Sequence, residues 1–372
     1  MAKFKLPPIS PLIGSTPSSY IRTMKGRKIE RKYYLKTFLT SIIVAISALF
    51  QWYEKIYFNV RCKKFTLKSD PVFIIGHWRT GTTYLHNILS QDPQMGFVTT
   101  YQTVFPNNLL SKFLFRTFMK IMIPEKRPGD NVRLNVTFPQ EEEFALTNIN
   151  PWNYYQFMYF PFYYEEYYSK YIRFDNMPDK VYEKWKKDYE RLVKKAMINS
   201  GGSIPLLKNP CNSGRINVML EMFPNAKFIF IIRNPVIVFL SSKKFFTELL
   251  PTLWFQTMDE SDLEEMIFST FVKLLEDYQN LKPLIPPGNL IEIRFDEYEN
   301  APLEFLRNLY NQFNLQGFEH VKHAFIDYVD SLSEYKKNKY IISRELLDRI
   351  MERWRFAMDL WEYKIPENVE IK

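Results

Sequence analysis

An α/β fold, with a mostly parallel sheet covered by helices on both faces, is predicted by the alternation of short apolar runs with long amphipathic stretches along the 372 residues. Two features of the runs support it. Pro71–Ile75, Ser203–Leu207, Lys227–Ile232 and Leu290–Ile293 have strand length and no polar alternation, as strands buried on both faces do. No internal repeat or low-complexity tract interrupts them, so one P-loop-like sheet with extra helices is expected rather than an array.

The chain opens with a basic arm. Arg22, Lys25, Arg27 and Lys28, like Lys3 and Lys5, precede the first acid, Glu30, and Pro7, Pro8, Pro11 and Pro17 punctuate the stretch. Such a segment reads as solvated and flexible. The apolar run Phe38–Phe50 that follows is under the roughly 18 residues needed to span a bilayer. Leu35, Phe38, Leu39, Ile42, Ile46, Leu49, Phe50 and Tyr53 recur at helical spacing, with Thr40, Ser41, Ser47, Ala48 and Gln51 on the other face. A core-packed helix is the simpler expectation; an interfacial helix, giving peripheral membrane contact through residues 1–53, is the alternative. Residues 1–70 are therefore read as an arm with an amphipathic helix and residues 71–372 as one domain.

The first apolar run starts late and lacks a small-residue cleavage site, so a cytoplasmic, membrane-associated or free, location is expected. Cys62 and Cys211 are distant and form no CxxC, the usage of a reducing compartment. Aromatic residues make up 17% of the chain, ample for a core and an apolar cleft. The net charge of +9 fits nucleic acid, a membrane surface or a small anion as partner, and no nucleic-acid motif favours the first.

Beyond the first strand, Thr82–Gln91 reads as a helix; Asp179–Asn199, Arg215–Met222, Val236–Thr247, Asp262–Leu281 and Leu303–Phe313 read likewise. Ligands of parallel sheets collect at the carboxyl ends of the strands, which is where the chemistry-bearing residues fall. Gly76-His77-Trp78-Arg79-Thr80-Gly81-Thr82-Thr83 has the G-x-x-x-x-G spacing of a phosphate loop opening a helix, whose unpaired amides and dipole hold anionic oxygens. A triphosphate loop needs Lys after the second Gly; this chain has Thr82. The run Lys227–Ile232 ends in Arg233 rather than a magnesium-holding acid, and Ser241 stands eight residues further on. Arg and a hydroxyl converging there make a second phosphate pocket without a metal.

These segments resemble the sulfotransferase family: FIIGHWRTGTT is similar to its 5′-phosphosulfate loop and RNPVIVFLS to its 3′-phosphate site. The stretch from Lys126 to Arg133 and on through Phe138-Pro139-Gln140-Glu141-Glu142-Glu143 is similar to a bacterial branch, as are Leu207-Lys208-Asn209-Pro210 and Phe223–Phe228. The resemblance implies a sulfotransferase fold and an enzyme that moves a sulfuryl group from 3′-phosphoadenosine 5′-phosphosulfate to a hydroxyl of a small acceptor; the aromatic-rich stretch and the N-terminal arm favour an apolar one, sterol-like or another lipid alcohol, with carbohydrates and phenols as alternatives. Adenosine 3′,5′-bisphosphate would be the product, with no metal taking part. It also implies roles: Arg79, Thr80, Gly81, Thr82 and Thr83 on the 5′-phosphosulfate, Arg233 and Ser241 on the 3′-phosphate, and Arg79 with Lys208 against the charge on the leaving phosphate.

The acceptor must lose a proton to a base within hydrogen-bond reach. Family members with a His two residues beyond the lysine have no counterpart here, where Pro210 stands, and His77, His86, His320 and His323 do not fill the gap. Glu141 and Glu143 are the expected base and supporting carboxylate, in a helix opened by Pro139, where three adjacent acids repel and raise one pKa. The aromatic-rich stretch Pro151–Tyr171 is expected to line the acceptor cleft as well as the core. Lys336-Lys337-Asn338-Lys339 is either a basic loop over the nucleotide or a solvated charge run. Two other functions compete: a kinase-like phosphotransferase, disfavoured by Thr82 and Arg233, and a non-enzymatic binder of polyanions or membrane surfaces.

Overall fold

Buried apolar runs and amphipathic stretches sort into alternating strands and helices in a computed structural model that describes residues 9–124, 133–332 and 340–372. Lys3, Lys5, residues 126–132 and the run Lys336–Lys339 lie outside the described residues. From the N-terminus come helices α1 (Pro17–Met24), α2 (Tyr34–Ala48) and α3 (Gln51–Lys64), strand β1 (Val72–Gly76), helix α4 (Thr82–Leu89) and the two-residue strand β2 (Met95–Gly96). Helices α5 (Thr100–Val104), α6 (Lys112–Met122), α7 (Glu142–Ile149), α8 (Tyr164–Tyr168) and α9 (Asp179–Ser200) lead to β3 (Ile204–Lys208). There follow α10 (Ile216–Met222), β4 (Lys227–Ile232), α11 (Pro235–Leu253), α12 (Glu260–Leu281), β5 (Leu290–Arg294) and α13 (Phe295–Asn300). The chain ends through α14 (Pro302–Gln312), α15 (Phe318–Asp330), β6 (Tyr340–Ile342), α16 (Arg344–Leu360) and β7 (Val369–Ile371). Each run read as a strand is one, and β4 coincides with its expectation at both ends.

By packing, the chain divides into two units. One comprises residues 71–95, 208–244 and 261–372, the other residues 1–70, 96–207 and 245–260. In the first, β1 pairs parallel with β4 and β4 with β5, Val72 lying opposite Lys227, Gly76 opposite Ile231 and Ile232 opposite Arg294. That register brings the carboxyl ends of β1, β4 and β5 to one edge. Phe73, Ile74 and Ile75 have no exposed surface, which is why the sequence shows an unbroken apolar run there. The Phe73 and Phe228 rings stack at 5.3 Å across β1 and β4, and Phe230 lies flat on Tyr278 of α12 at 3.6 Å. Phe271 of α12 in turn stacks on Trp354 of α16 at 3.9 Å.

The second unit is mainly helical. Trp185 of α9 is fully buried and stacks on Tyr189. Tyr154, Tyr155, Phe157, Tyr159, Phe160, Tyr167 and Tyr168 are also buried, with ring contacts such as Tyr154 to Phe157 at 4.7 Å and Phe160 to Phe255 at 5.6 Å. The aromatic stretch is thus largely packed on itself as the core of this unit, and only Phe162 among its rings is strongly exposed.

Helices α2 and α3 depart from the core-packed expectation. They meet at a 55° bend, and the face they turn inward is largely polar: Lys36, Thr40, Ser47, Gln51 and Glu54 are buried, beside Val44, Phe58 and Cys62. Lys36 Nζ donates to the carbonyls of Thr252 (2.6 Å) and Trp254 (3.2 Å), and burial pushes its pKa down to about 7. Thr40 Oγ1 accepts from Ser10 N, Ser47 Oγ donates to Ile13 O, and Gln51 Nε2 donates to Ser15 O. Glu54 accepts from Leu110 N (3.0 Å) and from Lys195 Nζ (2.7 Å), a pair buried on both sides. Hydrogen bonding therefore decides which face goes in, because each of these groups would lose a partner if the helices rolled over.

The outward face is apolar. On α2 it carries Leu35, Phe38, Ile42 and Ile46, at the bend Leu49, and on α3 Trp52, Ile56 and Val60, all exposed; Phe38 is 63%, Leu49 69% and Trp52 65% exposed. Their spacing keeps helical period through the break, so the two helices present one continuous ridge. Helix α6 shares a buried cluster with α3 through Phe115, Met119, Phe58 and Cys62, and its outer side shows Phe113 and Ile121.

Candidate functional site

The loop between β1 and α4 is shaped by backbone conformations that few residues adopt. Gly76 and Gly81 have φ of 141° and 103°, and Arg79, a non-glycine, has φ 71°. A Cβ on Gly76 would stand 2.9 Å from Ile231 O, and one on Gly81 would stand 2.1 Å from the Phe295 ring, so both positions require glycine. Arg79 carries the kind of backbone strain that concentrates at ligand clamps. Ser213 fixes the start of the loop, accepting from Gly76 N at 2.9 Å and donating to Gly76 O at 3.1 Å. Thr80 Oγ1 donates to His77 O (2.8 Å), and Tyr298 donates its phenol to Gly81 O (2.9 Å).

Gly81 is the N-cap of α4 and supplies no capping side chain, so the amides at the start of this helix are left to another acceptor. Around it the expected cations assemble. Arg79 Nε donates to Ser241 Oγ at 2.9 Å, and Arg233 Nη1 donates to Arg79 O at 2.9 Å, while the Arg233 guanidinium lies over the Phe295 ring at 4.3 Å. Burial, with Arg79 as a neighbouring like charge, holds Arg233 below its usual pKa. Lys208, at the end of β3 and without exposed surface, donates to Thr83 Oγ1 at 3.4 Å. Arg79, Thr80, Gly81, Thr82, Thr83, Lys208, Arg233 and Ser241 thus lie in one unit, and the two segments expected from sequence to hold phosphates are joined by the Arg79–Ser241 hydrogen bond.

His77 is neutral. Its Nδ1 donates to Trp78 O at 2.9 Å, its ring packs on Phe271 at 5.0 Å, and burial pushes its pKa down to about 4. It lines a small cleft with Gly76, Thr80, Phe230, Arg233 and Trp361.

In the other unit, α7 begins at Glu142, not at Pro139, which instead forms an antiparallel bridge with Thr99; Glu141 is the N-cap. The acidic triplet is buried, and its members face different partners. Tyr155 donates its phenol to Glu141 Oε2, Tyr189 donates to Glu142 Oε1 at 2.8 Å, and the Tyr154 amide donates to Glu143 Oε1 at 2.9 Å. Glu141 keeps 7% exposure and Glu143 none. His320 and His323 are exposed on α15.

Sequence reading missed Ser213, Phe295 and Tyr298. The last two follow β5 directly, so the rule that ligands gather after parallel strands could have found them; Ser213 had no local signal.

An uncapped helix start at the carboxyl ends of parallel strands, with Thr82 where a triphosphatase has a lysine and Arg233 where it has an acid, is a P-loop-like arrangement without the triphosphate and magnesium ligands. Residues 71–320 match the family model described as Sulfotransferase family, and the chain belongs to that family and is a sulfotransferase. Over 354 residues it is 29% identical to omega-hydroxy-beta-dihydromenaquinone-9 sulfotransferase Stf3 of Mycobacterium bovis, covering 94% of this chain and 90% of the relative, and it matches Stf3 of Mycobacterium tuberculosis equally. Among solved structures, sulfotransferase STF9 from Mycobacterium avium is similar with a TM-score of 0.63 at 13% identity, covering 95% of this chain and 98% of that one. STF1 from Mycobacterium tuberculosis gives the same TM-score at 16% identity, over 92% and 93%. At such identities the likeness speaks to the fold.

Proposed function

We propose that the chain transfers a sulfuryl group from 3′-phosphoadenosine 5′-phosphosulfate to a hydroxyl of an apolar, lipid-like acceptor. One observation carries the donor reading: Arg79, Arg233 and Ser241 form a continuous cationic network beside a helix start that has no cap of its own. Two neighbouring guanidiniums favour a bound anion, and the positive φ of Gly76 and Gly81 shapes the loop around the helix start. Similarity to Stf3, named for omega-hydroxy-beta-dihydromenaquinone-9, supports a lipid hydroxyl as acceptor. Two distant, buried cysteines support a cytoplasmic location as part of the same proposal.

In this reading the loop amides of Thr80–Thr83 and Arg79 grip the 5′-phosphosulfate, and Arg233 with Ser241 grips the 3′-phosphate. The acceptor oxygen bonds to sulfur as the bond from sulfur to the phosphate oxygen breaks, and the electron pair left on that oxygen is stabilised by Lys208 and Arg79. The acceptor proton passes to a carboxylate. Glu141 is the better candidate, since it retains some exposure, whereas Glu143 is tied to a backbone amide and supports it.

The test is calorimetry with adenosine 3′,5′-bisphosphate, followed by transfer from labelled donor to a panel of lipid alcohols, sterols, phenols and sugars. Tight association and labelling of a lipid alcohol are expected; absence of association defeats the donor reading. Glu141→Gln is expected to keep bisphosphate affinity and to lower turnover about 100-fold or more. Unchanged turnover in both Glu141→Gln and Glu143→Gln assigns the base elsewhere.

A further inference from the structure

We propose that the outward ridge of α2 and α3 docks the protein onto the surface of an anionic lipid bilayer. The inference stands apart from the acceptor reading, because it is drawn from the N-terminal helices alone.

Three observations carry it. First, the amphipathicity of these helices is inverted for a water-facing segment: buried polar groups are bonded to the protein and large apolar side chains face out. An apolar stripe of this length is far from the scattered exposed leucines that any surface shows. Second, from Tyr34 to Tyr53 the only charged residue is Lys36, which is buried, so the outer surface there is uncharged. Third, the ridge has cations at both ends, Arg31 and Lys32 before it and Lys55, Arg61, Lys63 and Lys64 along and after it, all exposed. The only acid between residues 31 and 69 is Glu54, buried against Lys195.

An apolar face bordered by Lys and Arg, with a tryptophan in its middle, is the chemistry of a helix lying in the headgroup region of a negatively charged membrane. A span is excluded for this pair by its inner face: Thr40, Ser47, Gln51 and Glu54 are engaged with the protein and would have to leave it to enter lipid. A second copy of the chain is the weaker occupant. A twofold contact meets like with like, and with cations at both ends either relative direction sets Arg and Lys rows against each other.

The experiment is flotation of the full chain, without donor or acceptor, on phosphatidylglycerol/phosphatidylcholine vesicles and on phosphatidylcholine alone. Binding to the anionic vesicles is expected. The triple variant Phe38→Gln, Leu49→Gln, Trp52→Gln is expected to weaken it by at least about tenfold, and Arg61→Glu, Lys63→Glu, Lys64→Glu by a similar factor that salt reproduces in the unsubstituted chain. All six positions are exposed, and unchanged circular dichroism and bisphosphate affinity confirm that a variant is folded. Failure to float on anionic vesicles overturns the proposal, as does flotation that the triple variant leaves intact. Concentration-dependent dimers that the triple variant abolishes, without vesicle binding, overturn it in favour of a self-association face. Bisphosphate association is measured separately, so the donor reading and this one fail independently.

Discussion

Two helix starts in this chain are dressed in opposite ways. At α4 the N-cap is Gly81, no acid stands in the first turn, and Arg79, Arg233 and Lys208 gather around the loop. At α7 the N-cap is Glu141, with Glu142 and Glu143 in the first turn, each carboxylate already holding a phenol or an amide. The macrodipole is the same in both. One helix brings its own anions and is complete as folded, whereas the other has neither an acid in its first turn nor a side-chain cap.

The strongest way to break that contrast is to remove the cations at α4. Arg79→Ala and Arg233→Ala are each expected to weaken adenosine 3′,5′-bisphosphate about 100-fold or more by calorimetry, given the worth of charge-assisted hydrogen bonds. Loss of only a few-fold makes α4 as self-sufficient as α7.

Next comes acid. His77 is buried neutral with a pKa of about 4, against 6.5 for an ordinary imidazole. A depressed pKa contributes stability that is fully present above about 6.5 and lost as pH falls through about 4. Unfolding titrations of His77→Gln should therefore lose roughly 3 kcal/mol less than the unsubstituted chain across that window; parallel curves refute it.

A smaller effect is expected at α7. Glu142→Gln weakens the bond from Tyr189 and is expected to cost about 1–2 kcal/mol, seen as a melting temperature lower by a few degrees, with bisphosphate affinity unchanged. A fall in affinity instead draws α7 into donor binding. Smallest is the response to salt, where a few-fold loss of bisphosphate affinity at high ionic strength is expected at the partly buried Arg79 and Arg233, and almost none in the unfolding free energy that Glu142 contributes.

The strands and the glycine-bearing loop after β1 were legible because their signals are local. β1 is fully buried and β4 is buried after Lys227, so their sequences are nearly unbroken apolar runs, and the loop's glycines and Arg79 fall within six residues of one another. Direct contact between Arg79 and Ser241, 162 residues apart, was not legible, because it depends on β1 and β4 being neighbours in register. The orientation of α2 and α3 was left open between two alternatives for a related reason. Periodicity marks two faces but not which is buried, and here the decision lay with Thr252, Trp254, Leu110 and Lys195, remote residues that offer hydrogen bonds only to the polar side. The acidic triplet was seen as one cluster, yet separate partners from Tyr154, Tyr155 and Tyr189 divide it.

The Glu54–Lys195 pair bears on how far the N-terminal segment is dispensable. Lys195 sits on the long helix α9 with almost no access to water, its pKa already depressed by burial and upheld chiefly by Glu54. Trimming the polypeptide up to residue 64, an obvious step for anyone troubled by its greasy exterior, strands that ammonium without a counter-ion, at a cost of about 3–5 kcal/mol. Truncation and point substitution of the outer side chains are therefore different operations, and only the second leaves the enzyme's interior intact.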